Sequence, residues 1–223
     1  MIKKENIFFS SLLVVLALSI TTSAAPTFTD KILTGYELAQ DWDLIAAEEL
    51  SNSLLENHPE SGDAHFLSAR IEFLKGNYNR ASEILERVGD SYEEVSEFKK
   101  RVEATRKATQ NFVTRETAHF RFRYKEGPDE VLLTYAEEVL EKSYLVLGEI
   151  LDHYPQEKVL IEFYPDRQPF SKISPLTLQD ILTSGTVALC KYNRIMMISP
   201  GSLVRGFNWM DTLSHEYVHY LLT

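Results

Sequence analysis

The segment His215-Glu216-Tyr217-Val218-His219 holds three side chains whose types and spacing suit metal-assisted hydrolysis. On a helix, residues four apart lie on one face about one turn from each other, so His215 and His219 can grip a single ion. Glu216 stands beside the first histidine, where its carboxylate can reach a water on that ion without binding the ion itself. Zinc lowers the pKa of such a water and polarises a peptide carbonyl. The neighbouring carboxylate takes the water's proton and passes it to the leaving amine. The pentad thus points to His215 and His219 as metal ligands, Zn2+ as the cofactor, and Glu216 as the general base. Ordinary residue frequencies give a chance His-Glu-x-x-His in a chain of this size with a probability of roughly 1%. Apolar Trp209, Met210, Leu213, Val218, Leu221 and Leu222 around the pentad predict a helix with a buried side.

A catalytic zinc takes three protein ligands and a water. Asp211 is on the same helical stripe, but it lies about 9 Å along the axis from the midpoint of the two histidines, at 1.5 Å rise per residue. Its short side chain cannot close that gap, and it reads as a helix-start or supporting carboxylate. His58, His65, His119 and His153 have no partner at ligand spacing and read as structural or exposed. Glu48-Glu49, Glu93-Glu94 and Glu137-Glu138 are neighbours on helices, so they point apart into solvent. Cys190 is the single cysteine, which excludes an internal disulfide; within the apolar run 186–190 it reads as a packing residue. The sequence has no Gly-rich phosphate loop, no nucleophile elbow and no CxxC pair.

The elements that must position the pentad follow from periodicity. His119–Tyr124 alternates aromatic and polar residues, which predicts a half-buried strand closed by Gly127-Pro128. Residues 129–152 repeat apolar side chains at helical spacing. Lys158–Tyr164 is apolar and β-branched, reads as a central strand, and is ended by Pro165-Asp166. A short helix is expected at Leu176–Leu182, then a hairpin with arms Thr186–Lys191 and Arg194–Ser199 and its turn at Tyr192-Asn193. The last helix runs from about Asn208 to the end. Strand, helix, strand, helix, hairpin, helix is an α+β order with a mixed or antiparallel sheet.

Upstream, residues 30–88 read as helices with short breaks, and a helix rich in Glu, Lys and Arg is expected over Tyr92–Phe112. At a shift of 34 residues Gly35 falls on Ala69, Ala47 on Ala81, Leu50 on Ile84 and Leu54 on Val88, while Trp42 takes the place of Gly76. The stretch Ala69–Ala81, with Gly76-Asn77-Tyr78 at its turn, resembles a tetratricopeptide repeat, in which small residues let two helices pack closely. The first 24 residues have Lys3 and Lys4, an apolar run from Ile7 to Ile20, and Thr22-Ser23-Ala24 before Ala25-Pro26. This predicts a secretory signal peptide cleaved before Ala25, an exported periplasmic or secreted product, and no stable membrane span after cleavage. The chain has 223 residues, 44% of them hydrophobic, enough for one large domain or two small ones. A formal net charge of −10 without a basic cluster argues against nucleic-acid partners.

In its second half the chain resembles the peptidase-MA-like proteins, a gluzincin group of bacterial exported or membrane-attached proteins. The resemblance covers about Phe112–Thr223. It is carried by Phe120-Arg121-Phe122-Arg123-Tyr124, by Val159-Leu160-Ile161-Glu162-Phe163-Tyr164-Pro165 and by Leu213-Ser214-His215-Glu216-Tyr217-Val218-His219. It implies a zinc peptidase with His215 and His219 as ligands and Glu216 as base. In gluzincins the third ligand is a glutamate on a later helix, so it is expected beyond Thr223. The 223 residues alone are therefore expected not to form a competent peptidase. The implied organisation is a signal peptide over 1–24, a repeat-like helical region over 25–113 and a partial peptidase-like domain over 114–223. Expected partners are a peptide or protein substrate and a protein bound by the repeats. The competing expectation is a non-catalytic periplasmic interaction protein carrying a degenerate peptidase-like domain.

Overall fold

The computed structural model describes residues 25–89 and 93–223. The expected signal peptide and Tyr92, the expected start of the charged helix, lie outside the described residues.

Five helices come first: α1 Phe28–Gln40, α2 Leu44–Asn57, α3 Gly62–Leu74, α4 Tyr78–Leu85 and α5 Glu93–Thr109. Thr27 opens α1 with a capping box, accepting from the Asp30 N–H while its own N–H donates to the Asp30 carboxylate at 2.9 Å. Neighbouring helices pack on one another, and α1 also reaches α3. That approach is close: a Cβ added to Gly35 would lie 2.4 Å from Leu67 Cδ2. The two interhelical turns correspond residue for residue. Trp42 precedes the N-cap of α2 and Gly76 that of α4, and both are left-handed, with φ 59° and 82°. Glycine takes that conformation freely; for tryptophan it costs about 1–2 kcal/mol.

The chain then builds a five-stranded sheet and four further helices among the described residues. The strands are β1 Phe112–Glu116, β2 Phe120–Lys125, β3 Val159–Tyr164, β4 Ala188–Cys190 and β5 Arg194–Ile198. The helices are α6 Glu130–Leu151, α7 Arg167–Ile173, α8 Leu178–Ser184 and α9 Trp209–Leu221. The sheet order is β1-β2-β3-β5-β4. β2, β3 and β5 run parallel, and the two edges, β1 and β4, are antiparallel to their neighbours, so the sheet is mixed, as an α+β fold allows. The hairpin turn at Tyr192-Asn193 has φ 58° and 56°, a type I′ pair closed by Lys191–Arg194 bonds of 3.0 and 3.3 Å.

Two local expectations are corrected. The charged helix stops at Thr109, and Phe112 starts an edge strand rather than ending the helix. A helix, α7, follows Pro165-Asp166: Asp166 caps it by accepting from the Gln168 N–H, and Pro169 sits in the first turn, where its missing N–H is harmless.

Strand alternation gives the sheet two unlike faces. Phe120, Phe122, Ile161, Phe163, Ile195 and Met197 point to α6 and α9 and are wholly buried with Leu133, Leu140, Leu213 and Tyr217. Arg123, Leu160, Glu162 and Arg194 point to the N-terminal helices. There Glu162, fully buried, accepts from Tyr78 Oη at 2.7 Å and Tyr164 Oη at 2.5 Å, and pairs with Arg194 Nε at 3.1 Å and Arg123 Nη1 at 3.4 Å. The guanidinium of Arg194, also fully buried, makes no well-directed hydrogen bond and lies against the rings of Phe73 and Tyr78 at 4.8 and 5.2 Å.

Candidate metal and catalytic centre

Helix α9 carries the pentad and packs on α6, β4 and β5. Leu213, Tyr217 and Leu221, spaced at four, face the core and fix the helix's rotation. His215 and His219 turn the other way and are exposed. Their Nε2 atoms lie 3.0 Å apart with the ring planes at 86°. Glu216 lies between core and surface, 9% exposed, on the side facing β4. Burial, with the negative charge of Glu216 nearby, pushes the Cys190 thiol up to about 12. Cys190 is thus a half-buried neutral thiol beside the candidate base.

Asp211 is exposed in the first turn of α9 and accepts from Asn208 Nδ2. It lies at the helix start, away from the imidazoles. His65 Nδ1 is bonded to the Ser61 carbonyl at 2.9 Å, and His119 Nδ1 to Glu141 at 2.6 Å. His58 packs edge-on to Phe28. Among the described residues no group of three His, Cys, Asp or Glu side chains forms around one point. Of the three pentad side chains the structure sets His215 and His219 side by side, while Glu216, next to His215 in sequence, is turned toward Cys190 of β4.

Three further features adjoin α9. First, β4 is the sheet edge nearest α9. Val187 accepts from the Ile198 N–H, and Lys191 exchanges both bonds with Arg194. By antiparallel alternation the N–H and C=O groups of Ala188 and Cys190 face the open side. Second, a cavity of about 510 Å³ lies between α6 and α9, lined by Val139, Val146, Leu147, Val218 and His215. Third, the far end of α9 is held by the helical region and the hairpin tip. Trp42 packs on Tyr220 at 5.1 Å, Tyr220 Oη donates to Asn193 Oδ1 at 2.7 Å, and Asn193 Nδ2 donates to the Leu74 carbonyl at 3.3 Å. That contact gives the left-handed Trp42 a packing role that offsets its strain. Sequence spacing gives no sign of it, nor of Cys190 standing beside Glu216, because both contacts join elements remote in the chain.

No family model, curated protein or solved structure matches the chain.

Proposed function

We propose that the chain carries the zinc-binding and general-base half of a metallopeptidase site of the HExxH gluzincin type. The observation that carries the proposal is the convergence of His215 and His219 Nε2, 3.0 Å apart on the solvent side of α9, with Glu216, the residue after His215, largely buried on the β4 side. Two nitrogens bound to one tetrahedral zinc at 2.0–2.1 Å stand about 3.3 Å apart, so the pair fits with a shift of a few tenths of an ångström. Bound there, zinc would supply Lewis acidity toward a peptide carbonyl and an acidified water. The chain's own residues do the rest. His215 and His219 would hold the ion through their Nε2 atoms. Glu216, with its carboxylate shielded from bulk water, takes a proton and returns it to the leaving amine.

The surroundings favour a peptide as substrate. The free N–H and C=O groups of Ala188 and Cys190 suit an extended chain laid along β4. The cavity beside His215 suits an apolar side chain. Upstream, the matched turns at Trp42 and Gly76, 34 residues apart, support the tetratricopeptide-like reading and a protein partner for that region. The pattern of residues 1–24 supports export. The test is Glu216→Gln: zinc retained, with peptide hydrolysis lowered about 10²–10⁴-fold. Hydrolysis at the parent rate by that variant would remove Glu216 from the mechanism.

A further inference from the structure

A second cavity, of about 580 Å³, lies on the opposite face of the sheet from His215 and His219, where the α3–α4 turn meets β1, β2 and β3. Five cations line it, Lys75, Arg80, Arg106, Arg121 and Arg123, and no carboxylate does. In a chain of net charge −10 that is a local reversal of sign. The acids that pair with these cations stand outside the wall: Glu48 with Lys75, Glu103 with Arg106, Glu116 with Arg121, and the buried Glu162 with Arg123. These pairs hold the guanidinium groups in place and leave donors over. Arg121 pairs through Nε, and Arg123 uses Nη1 for both the Gly76 carbonyl and Glu162. Each guanidinium has five N–H groups, so donors remain on both. Arg80, with only a 3.4 Å contact to Glu83, is the least engaged.

The start of α4 opens on the same space. Asn77, its N-cap residue, makes no side-chain cap; its amide is turned to Glu72 at 2.7 Å. The first-turn N–H groups at Asn79 and Arg80 therefore lack a side-chain acceptor, and both residues line the cavity. An uncapped helix start carries partial positive charge, and forked guanidinium groups match the oxygens of a phosphate. Apart from Phe112 and Leu160 the wall is polar, and the cavity's volume of about 580 Å³ exceeds that of one phosphate ion.

We infer that this cavity is a binding site for a small phosphorylated molecule with at least two anionic groups, distinct from the candidate metal centre and clamping the helical region to the sheet. Recognition comes from Arg80, Arg121 and Arg123 with the start of α4. The inference does not depend on the peptidase reading.

The experiment is calorimetric titration of the purified chain with pyrophosphate at fixed ionic strength, with citrate as a carboxylate comparison. Saturable binding of pyrophosphate, tighter than citrate, is expected. Arg80→Gln/Arg121→Gln should bind roughly tenfold more weakly, as expected from loss of charge-assisted contacts. Lys107→Gln/Lys125→Gln, which removes the same charge elsewhere, should bind as the parent does. Circular dichroism and melting without ligand establish that both variants are folded. Should the arginine pair not fold, Arg80→Gln alone, at a 63% exposed side chain, gives the same comparison. No saturable pyrophosphate binding, equal affinity in the two double variants, or tighter binding of citrate would each overturn the inference.

Discussion

On the α6–α9 side of the sheet, Phe120, Phe122, Ile161 and Phe163 meet Leu133, Leu140, Leu213 and Tyr217 with no charge among them. On the other side the same strands present Arg123, Glu162 and Arg194 to Tyr78 and Phe73. The two sides hold their neighbours differently. Apolar contact is non-directional and stabilises in proportion to area, about 1.5–3 kcal/mol for each large side chain fully buried. An ion network must satisfy a geometry, and its charges are costly when one partner is lost. The apolar side therefore fixes α9, and with it the candidate metal centre. The ionic side fixes where the helical region sits, through Tyr78 of α4.

The largest expected effect breaks the ionic side. Glu162→Ala leaves Arg194 buried without its counter-charge and should destabilise the chain by about 3–5 kcal/mol in urea denaturation. Replacing both partners, Glu162→Met with Arg194→Met, should recover much of that loss; a single variant as stable as the parent would contradict the network. Next comes the apolar side. Leu213→Ala should cost about 2–5 kcal/mol from lost burial and the cavity left behind. The two sides should then separate in a second readout. Leu213→Ala loosens the helix that carries the histidines and should weaken metal binding, whereas Glu162→Ala, measured where it remains folded, should not. Equal loss of metal affinity in both variants would undo the division of labour between the faces.

A smaller effect is expected at the β4 edge. Ala188 presents its N–H outward, so under the peptidase proposal Ala188→Pro removes a donor that a peptide laid along β4 would use, without breaking the ladder to β5. Loss of one such bond should raise KM about three- to tenfold, in line with ~0.5–1.5 kcal/mol for a hydrogen bond. Leu189→Pro, whose N–H faces β5, should instead lower stability. The smallest effect concerns Cys190. With its thiol pushed up to about 12, it stays protonated near neutrality and should react slowly with iodoacetamide in the folded chain and quickly in urea. An acid whose pKa is raised on folding loses stability as pH climbs from the unfolded thiol's value, about 8.5, toward the folded one. Cys190→Ala should flatten that alkaline decline. Rapid alkylation of the folded parent at pH 8 would show a thiol more open than its surroundings imply.

The parts of the fold visible in the sequence are those with a local signal. The alternation of Phe120-Arg121-Phe122-Arg123-Tyr124 marks β2 and already separates the residues of the two faces. Tyr192-Asn193 between two apolar arms marks the hairpin, and the apolar spacing around His215 marks α9. Strand β1 is hidden because its Phe-Val-Thr-Arg-Glu follows a charged helix without a glycine or proline to punctuate it. Helix α7 is hidden by Pro165 and Pro169, which read as breaks unless Asp166 is recognised as its cap. Glu162 stands in an otherwise apolar strand, and nothing local says that Arg194 and Tyr78 will meet it. The same holds for the site. The pentad gives His215, Glu216 and His219, but the partners of α9, Trp42 and Asn193, come from turns distant in the chain, as does Cys190 beside Glu216.

His215 and His219 are proposed to bind one zinc ion that works with Glu216. Zinc content by elemental analysis after gel filtration, with peptide hydrolysis measured on the same samples, tests it most directly. Metal binding is expected to be lost in His215→Ala and in His219→Ala and retained in Glu216→Gln, with hydrolysis lost in the two histidine variants and lowered about 10²–10⁴-fold in Glu216→Gln. Zinc retained at the parent level after both histidines are replaced would contradict it.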